Sequence, residues 1–123
     1  MKRGNVVQDK SFEFAVRIVK AYQYLTSKKR EFVISKQMLR SGTSIGANVS
    51  EANGAISKAD FSSKISIAYK ECLETKYWIS LLKRTGFIEG KAHESLYAET
   101  DEIGRILFAI LKRTRIKSIS NEQ

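Results

Sequence analysis

The sequence predicts an all-α protein, a single-domain antiparallel four-helix bundle with up-down-up-down order. Three observations support this fold class. The 123 residues contain no proline, which permits long uninterrupted helices. Apolar residues recur at steps of three and four in four segments. Short polar breaks separate these segments, and strand signals are missing throughout.

The first helix is predicted over Ser11–Ser27, with Ser11 as its N-cap. Residues 1–10 are expected to form an N-terminal arm that precedes the bundle. The helix carries two apolar stripes, which comprise Phe12, Ala15, Val16, Val19 and Tyr22, and Phe14, Ile18, Ala21 and Leu25. An apolar face of this width is typical of a helix that contacts more than one neighbour.

The second helix is predicted from about Phe32 to Ala52, followed by the stop signal Asn53-Gly54. Its interior holds Gly42 and Gly46. Glycine inside a helix costs roughly 1 kcal/mol relative to alanine. We therefore expect these glycines to allow the close approach of a neighbouring helix.

The third helix is predicted from Ser57, an N-cap that Asp60 supports in a capping-box-like pattern, to Thr85, with Gly86 just beyond its end. Its apolar residues repeat with the spacing of a bundle seam. They are Phe61, Ile65, Ala68, Cys72, Thr75, Ile79 and Leu82.

The fourth helix is predicted from Gly90 to about Lys117, and residues 118–123 are expected to form a frayed tail. One heptad-like line with two flanking leucines defines its apolar face. The line comprises Leu96, Glu99, Ile103, Ile106, Ile110 and Arg113, and the flanking residues are Leu107 and Leu111.

Positive charge is concentrated towards both ends of the chain. The net charge is +9, of which residues 1–40 carry +7, residues 41–104 carry −2 and residues 105–123 carry +4. In an antiparallel bundle, alternate turns share one end. One pole then collects Lys28, Lys29, Arg30, Lys83, Arg84 and Lys91, and the other collects Lys2, Arg3, Lys58, Arg113, Arg115 and Lys117. Such poles favour a polyanionic partner, although a basic surface can also serve solubility alone.

Polar residues lie among the apolar faces of helices two and three. Glu71 and Glu74 flank the seam beside Ile67 and Trp78, and buried carboxylates need partners. We interpret a set of six residues as a structural polar network, with an active site or a solvated flank as alternatives. The set comprises Arg40, Ser44, Asn48, Glu51, Glu71 and Glu74.

An enzymatic alternative follows from two carboxylate pairs, Glu71-x-x-Glu74 and Glu99-x-x-Glu102. If their helices are neighbours, the pairs could hold Mg²⁺, as in all-α nucleotide pyrophosphohydrolases. The doubled glutamate and the closing aspartate of that family are absent. His93 is the only histidine, so a di-iron site is excluded, and we expect it on the surface.

No cofactor is expected, because no phosphate-cradling loop is present. Cys72 is interpreted as a small core residue. A single cysteine excludes an internal disulfide and indicates a cytoplasmic location. We expect no secretory signal and no contact with a membrane, because apolar runs are far shorter than the roughly 18 residues that span a bilayer.

The motif Leu39–Ala52, LRSGTSIGANVSEA, resembles that of the four-helix-bundle proteins encoded within intervening sequences of bacterial large-subunit rRNA genes. The likeness continues upstream at Phe12–Val16 and downstream at Asp60-Phe61, Ile67-Ala68 and Lys70–Thr75. The accessory proteins of diversity-generating retroelements are similar. The resemblance implies a homo-oligomeric ring, a pentamer, which engages nucleic acid. It supplies no catalytic residue.

The sequence therefore predicts a non-enzymatic, homo-oligomeric protein that binds nucleic acid, with RNA favoured over DNA. Six cations are expected to contact phosphates, namely Lys28, Lys29, Arg30, Arg113, Arg115 and Lys117. An alternative is a scaffold for another polypeptide, such as a reverse transcriptase. The Mg²⁺-dependent hydrolase is the third hypothesis.

Overall fold

Four helices make up the computed structural model, which describes residues 5–122 and the side chains of residues 5–114. The helices are α1 (Val6–Ser27), α2 (Ile34–Asn53), α3 (Lys58–Arg84) and α4 (Gly90–Glu122). Each consecutive pair is in extensive contact, and α1 touches α4 more sparsely. Among residues 5–122 there is no strand. The predicted all-α four-helix bundle is confirmed.

Contacts between the helices establish the antiparallel order. Gly46 lies against Ser11 and Gly42 against Ile18, so α2 runs back along α1. On α3, Thr75 is joined to Ser41 and Lys64 to Glu51. Gly104 lies against Cys72, while Lys76 is joined to Asp101. Helices α1 and α3 therefore run in one direction, and α2 and α4 in the other.

Two predicted boundaries are wrong. Ser11 is not an N-cap: it lies fully buried inside α1, and its hydroxyl donates a hydrogen bond to the Gln8 carbonyl at 3.0 Å. Because Val7 continues the buried stripe one turn earlier, residues 6–10 are helical rather than part of an arm. Helix α4 includes residues 118–122, beyond its predicted end at Lys117. Residues 1–4 of the predicted arm lie outside the described residues.

The predicted ends of α2 and α3 lie within two residues of the observed ends. Helix α2 begins at Ile34 and ends at Asn53, before Gly54. Ser57 caps α3 as predicted, since its hydroxyl accepts a hydrogen bond from the Asp60 N–H at 3.0 Å. Gly86, just past the end of α3, has a φ of +85°, a conformation that glycine adopts at little cost.

The core lies along the predicted seam of α3, whose residues from Ile65 to Leu82 are buried. On α1 the stripe of Phe14, Ile18 and Leu25 faces this core. The α4 line is rotated from its predicted position. Its buried side chains are Leu96, Thr100, Ile103, Leu107 and Leu111, which leaves Glu99 half-buried and Arg113 exposed.

Gly42 and Gly46 bring α2 close to α1, as predicted. A β-carbon on Gly42 would lie 2.8 Å from Ile18 Cγ1, and one on Gly46 would lie 3.2 Å from the Ser11 carbonyl oxygen. On the opposite side of α2, Ser41 accepts a hydrogen bond at 2.9 Å from the fully buried hydroxyl of Thr75. Small residues thus set the spacing of α2 from both neighbours.

Candidate nucleic-acid interface

The turn between α1 and α2 presents the cluster Lys28-Lys29-Arg30 to solvent, and all three residues are exposed. The Lys28 N–H donates to the Tyr24 carbonyl at 2.9 Å and closes α1. Arg30 then adopts a φ of +57°, which redirects the chain towards α2. Its guanidinium lies 5.3 Å from the centre of the Phe32 ring, within cation–π range.

Glu31 fixes this turn by capping α2. Its carboxylate accepts hydrogen bonds from the backbone N–H groups of Ser35 at 2.6 Å, Ile34 at 3.0 Å and Val33 at 3.3 Å. The Ser35 hydroxyl donates to the Glu31 carbonyl at 2.7 Å. These N–H groups belong to the first turn of α2, where helices lack internal acceptors. Sequence reasoning missed this role, although an acidic residue just before a helix is a recognised signal.

Burial alone would raise the pKa of the Glu31 carboxyl, but the hydrogen bonds from Ser35, Ile34 and Val33 outweigh it. The pKa of Glu31 therefore lies below its ordinary value. The carboxylate is ionised near neutral pH, and its charge is directed at the N-terminus of α2 rather than at the neighbouring cations.

The turn between α3 and α4 lies at the same end of the bundle. Lys83 and Arg84 close α3, Lys91 follows the start of α4, and all three are exposed. We call these residues together with the α1–α2 cluster the turn pole: Lys28, Lys29, Arg30, Lys83, Arg84 and Lys91. Acidic groups in the two turns are Glu31, which caps α2, and Glu89. Because the helices are antiparallel, these six cations lie at one end of the bundle, as predicted.

Several cations along the helices, unlike those of the turn pole, form ion pairs, although others such as Lys20, Lys36 and Lys70 do not. Lys10 Nζ lies 3.3 Å from Glu102, Lys64 Nζ lies 3.0 Å from Glu51, and Arg17 pairs with Glu99. In contrast, across residues 5–114 no ion pair includes a cation of the turn pole. The turn pole is therefore a concentration of positive charge without acidic partners.

The opposite pole is only partly described. Lys58, at the start of α3, is exposed, and Arg113 on α4 is exposed as well. The side chains of Arg115 and Lys117, which were also predicted to contact phosphates, lie outside the described side chains.

Half of the predicted polar network is present. Arg40 pairs with Glu74 and lies 3.5 Å from Glu71, and the Trp78 indole N–H donates to Glu74 at 3.0 Å. These contacts join α2 to α3 on one flank of the bundle, with Glu71 and Glu74 half-buried. Ionic contacts of this kind fix the register of neighbouring helices.

The other predicted members bond elsewhere. The Ser44 hydroxyl donates to the Arg40 carbonyl at 2.6 Å, and the Asn48 amide donates to the Ser44 carbonyl at 2.8 Å, both within α2. Glu51 pairs with Lys64 nearer the other end. The polar contact that sequence reasoning left out of the network is the buried pair Ser41–Thr75.

The two carboxylate pairs of the hydrolase hypothesis are directed to different neighbours. Glu71 and Glu74 face Arg40 on α2, whereas Glu99 and Glu102 face Arg17 and Lys10 on α1. Among the residues that the structure describes, no three His, Cys, Asp or Glu side chains gather where they could hold a metal ion. The geometry that this hypothesis needs is not formed by one copy of the described chain.

The remaining candidates for chemistry are Cys72 and His93. Cys72 is fully buried, and burial raises the pKa of its thiol to about 12, so it is not activated as a thiolate. His93, expected on the surface, is half-buried, with its Nε2 atom 3.2 Å from the Ser80 hydroxyl and its ring 5.3 Å from that of Tyr97.

Fold and charge thus define a small antiparallel helical bundle with a basic end. The model of the 23S rRNA-intervening sequence protein family matches residues 3–109. The chain belongs to this family, and the resemblance drawn from the Leu39–Ala52 motif is confirmed.

A solved structure supports the same assignment. The chain is similar to a protein of unknown function from the S23 ribosomal protein family of Bacteroides thetaiotaomicron. The identity is 54%, the match covers 87% of this chain and 99% of that chain, and the TM-score is 0.86. Comparison with curated proteins gave no significant match. Within the described residues, none of the helices combines the length and apolarity needed to cross a membrane.

Proposed function

We propose that this protein binds nucleic acid, RNA in preference to DNA, through contacts between the turn pole and the phosphate backbone. The observation that carries the proposal is the contrast in ion pairing. The six exposed cations of the turn pole are gathered at one end without acidic partners within residues 5–114, whereas half of the other cations in that range form ion pairs. Unpaired surface cations release counterions from a polyanion when they bind it. The family name, which refers to 23S rRNA, favours RNA.

Binding of this kind selects phosphates and is weakly sequence-selective, because phosphate contacts position a protein without reading bases. The Glu31 cap contributes by holding the α1–α2 turn, so that Lys28, Lys29 and Arg30 are presented together. A fixed arrangement lowers the entropy lost on binding. Arg113, Arg115 and Lys117 remain proposed as a second set of phosphate contacts. We expect this activity in the cytoplasm, the compartment that a single cysteine indicates.

A charge-matched pair of variants tests the proposal. The pole variant combines Lys28→Gln, Lys29→Gln and Arg30→Asn, since asparagine tolerates the left-handed backbone at position 30. The control variant combines Lys10→Gln, Lys20→Gln and Lys70→Gln on the sides of the helices. Both lose three positive charges.

Fluorescence anisotropy with labelled duplex RNA should show about tenfold or greater weakening for the pole variant. The control variant should bind nearly as well as the wild type. Equal weakening in both variants would show that binding depends on net charge and not on the turn pole. Absence of binding by the wild type would refute the proposed function.

We also propose that copies of the chain associate through the outer face of α1 and α2. Phe12 is 65% exposed there, beside a groove of about 460 Å³ that Asp9, Gly46 and Ala47 help to line. The Asp9 Oδ2 atom is buried and has no hydrogen-bond partner among the described residues. A cation from a second copy would satisfy this oxygen, and a chain of net charge +9 offers many. The resemblance implies five copies.

Sedimentation velocity tests the association. Phe12→Asp places a charge in the proposed interface and should lower the assembly towards monomer, while Ile56→Asp, in the exposed α2–α3 turn, should leave it unchanged. If Phe12→Asp keeps the wild-type mass, this face does not join copies. It is then available to another polypeptide, as the scaffold hypothesis requires, and pull-down with and without nuclease would separate protein from nucleic-acid partners.

A further inference from the structure

A second surface, on the outer side of α3 and α4, combines aromatic rings with cations. A groove of about 460 Å³ runs between the two helices, with Tyr69 and Leu73 on one wall and Phe108 on the other. The rings of Tyr69 and Phe108 are 5.5 Å apart at an interplanar angle of 44°. Phe108 is 47% exposed and Leu73 is 48% exposed, so this apolar wall is open to solvent.

Gly104 makes the groove deep at this point. The backbone of α4 approaches Cys72 closely, and a β-carbon on Gly104 would lie 3.7 Å from Cys72 Cβ. No side chain of α4 fills the space at position 104, and the neighbouring rings of Tyr69 and Phe108 line the same groove. A flat aromatic group can therefore enter the groove and lie against the rings of Tyr69 and Phe108.

Cations border this groove. Lys76, Arg105 and Lys112 line it together with Asp101. Asp101 lies 2.7 Å from Lys76 Nζ and 2.5 Å from Arg105 Nη2. Hydrogen bonds from Lys76, the larger contribution, and from Arg105 hold the pKa of Asp101 below its usual value. The one carboxylate is thus shared between two cations, and the border of the groove keeps an excess of positive charge.

Rings and cations alternate along the same side of α4. Tyr97 precedes Arg105, Phe108 and Lys112 at helical spacing, and Lys76 Nζ lies 5.1 Å from the centre of the Tyr97 ring. The fifteen residue steps of helix from Tyr97 to Lys112 span roughly 22 Å. Tyr77 on α3 is 60% exposed and lies one turn beyond Leu73 on the same side of that helix.

We propose that this groove binds unpaired bases of a single-stranded nucleic acid, with a base stacked on Phe108 and Tyr69 and the adjoining phosphates on Arg105 and Lys112. Every base has a flat π-face, which stacks on aromatic side chains, and the charged backbone requires cations nearby. Duplexes hide these faces, so the groove adds selectivity for single strands. The inference rests on the proposed function, because the turn pole is needed to hold the strand.

Substitution of Phe108 separates stacking from charge. Phe108→Leu keeps an apolar residue at a half-exposed position and removes the ring. Tyr24→Leu is the matched control, since Tyr24 on α1 is an aromatic residue of the same 47% exposure and lies outside the groove. Circular dichroism should give melting curves close to the wild type for both variants. Labelled oligouridine, which has little structure of its own, and duplex RNA of the same length are the two probes.

Phe108→Leu should weaken oligouridine binding about fivefold or more and leave duplex binding unchanged, while Tyr24→Leu should change neither. The pole variant should weaken both. If the pole variant loses affinity and Phe108→Leu does not, the proposed function stands and the groove proposal is overturned. Equal losses with both probes, or a change of assembly mass in Phe108→Leu that indicates a contact between copies, would also overturn it.

Discussion

Single glycines determine how closely α1 and α2 approach. At Gly42 the missing β-carbon leaves room for Ile18, a fully buried and branched side chain, and at Gly46 it leaves room for the backbone of Ser11. Neither neighbour can move easily, because branched side chains are stiff and a helix backbone is rigid. The helix propensity that these glycines forgo is therefore offset by packing.

Alanine substitutions measure this balance. Gly42→Ala should destabilise the protein by about 1–2 kcal/mol, because the overpacking cost exceeds the gain in helix propensity. Gly46→Ala should act in the same direction. Gly104→Ala is the control: its β-carbon would meet Cys72 at an ordinary contact distance of 3.7 Å, so it should stabilise by about 0.5–1 kcal/mol. Urea unfolding gives all three values, and equal stability of Gly42→Ala and Gly104→Ala would contradict the account.

At the scale of the element, the α1–α2 turn couples a helix cap to a cluster of cations. Glu31 supplies the cap of α2 from three residues before the helix begins, and Arg30 precedes it in a left-handed conformation. The cap restrains the backbone of the turn, and the turn places Lys28, Lys29 and Arg30 on one surface. Loss of the cap should therefore affect stability first and binding second.

Glu31→Gln tests this coupling through pH. The neutral amide accepts weaker hydrogen bonds than a carboxylate, so the variant should lose about 1 kcal/mol near neutral pH. Because the folded pKa of Glu31 is lowered, its stabilisation is fully present above the ordinary value of 4.5 and is lost as pH falls through the folded pKa. The difference between wild type and variant should shrink below about pH 4.5. A difference that persists unchanged in acid would rule out a charged cap.

The spacing of apolar residues was enough to predict the four helices. It was not always enough to predict which face of a helix is turned towards the core. The seam of α3 follows from a regular repeat, and its residues from Ile65 to Leu82 are buried as expected. On α4 the apolar repeat is compatible with two neighbouring buried faces. The observed face contains Thr100, which is buried, and not Glu99. The Thr100 hydroxyl donates to the Leu96 carbonyl at 2.6 Å, so it needs no outside partner.

Contacts between elements were the least predictable part of the candidate site. Arg40, Glu71 and Glu74 were placed together correctly, since carboxylates beside apolar residues need a cation. Ser44 and Asn48 instead bond to carbonyls of their own helix, an option that short polar side chains always have. The Glu31 cap depends on the path of a turn, which spacing does not specify.

At the scale of the whole molecule, the ion-paired cations of residues 5–114 all lie on the sides of the helices, outside the turn pole. Ion pairs join neighbouring helices along their length, and the turn pole lies at one end with its charges exposed. Association through the α1–α2 face would place several such poles side by side. Several turn poles could then contact one phosphate backbone at the same time, which would increase the overall affinity.

The salt dependence of duplex RNA binding tests the central claim most directly. The logarithm of the association constant should fall steeply and linearly with the logarithm of salt concentration for the wild type, because each phosphate contact releases about 0.9 of a counterion. The pole variant should show a slope shallower by about 2–3, and the control variant should keep the wild-type slope. A slope that is flat in the wild type, or unchanged in the pole variant, would contradict binding by the turn pole.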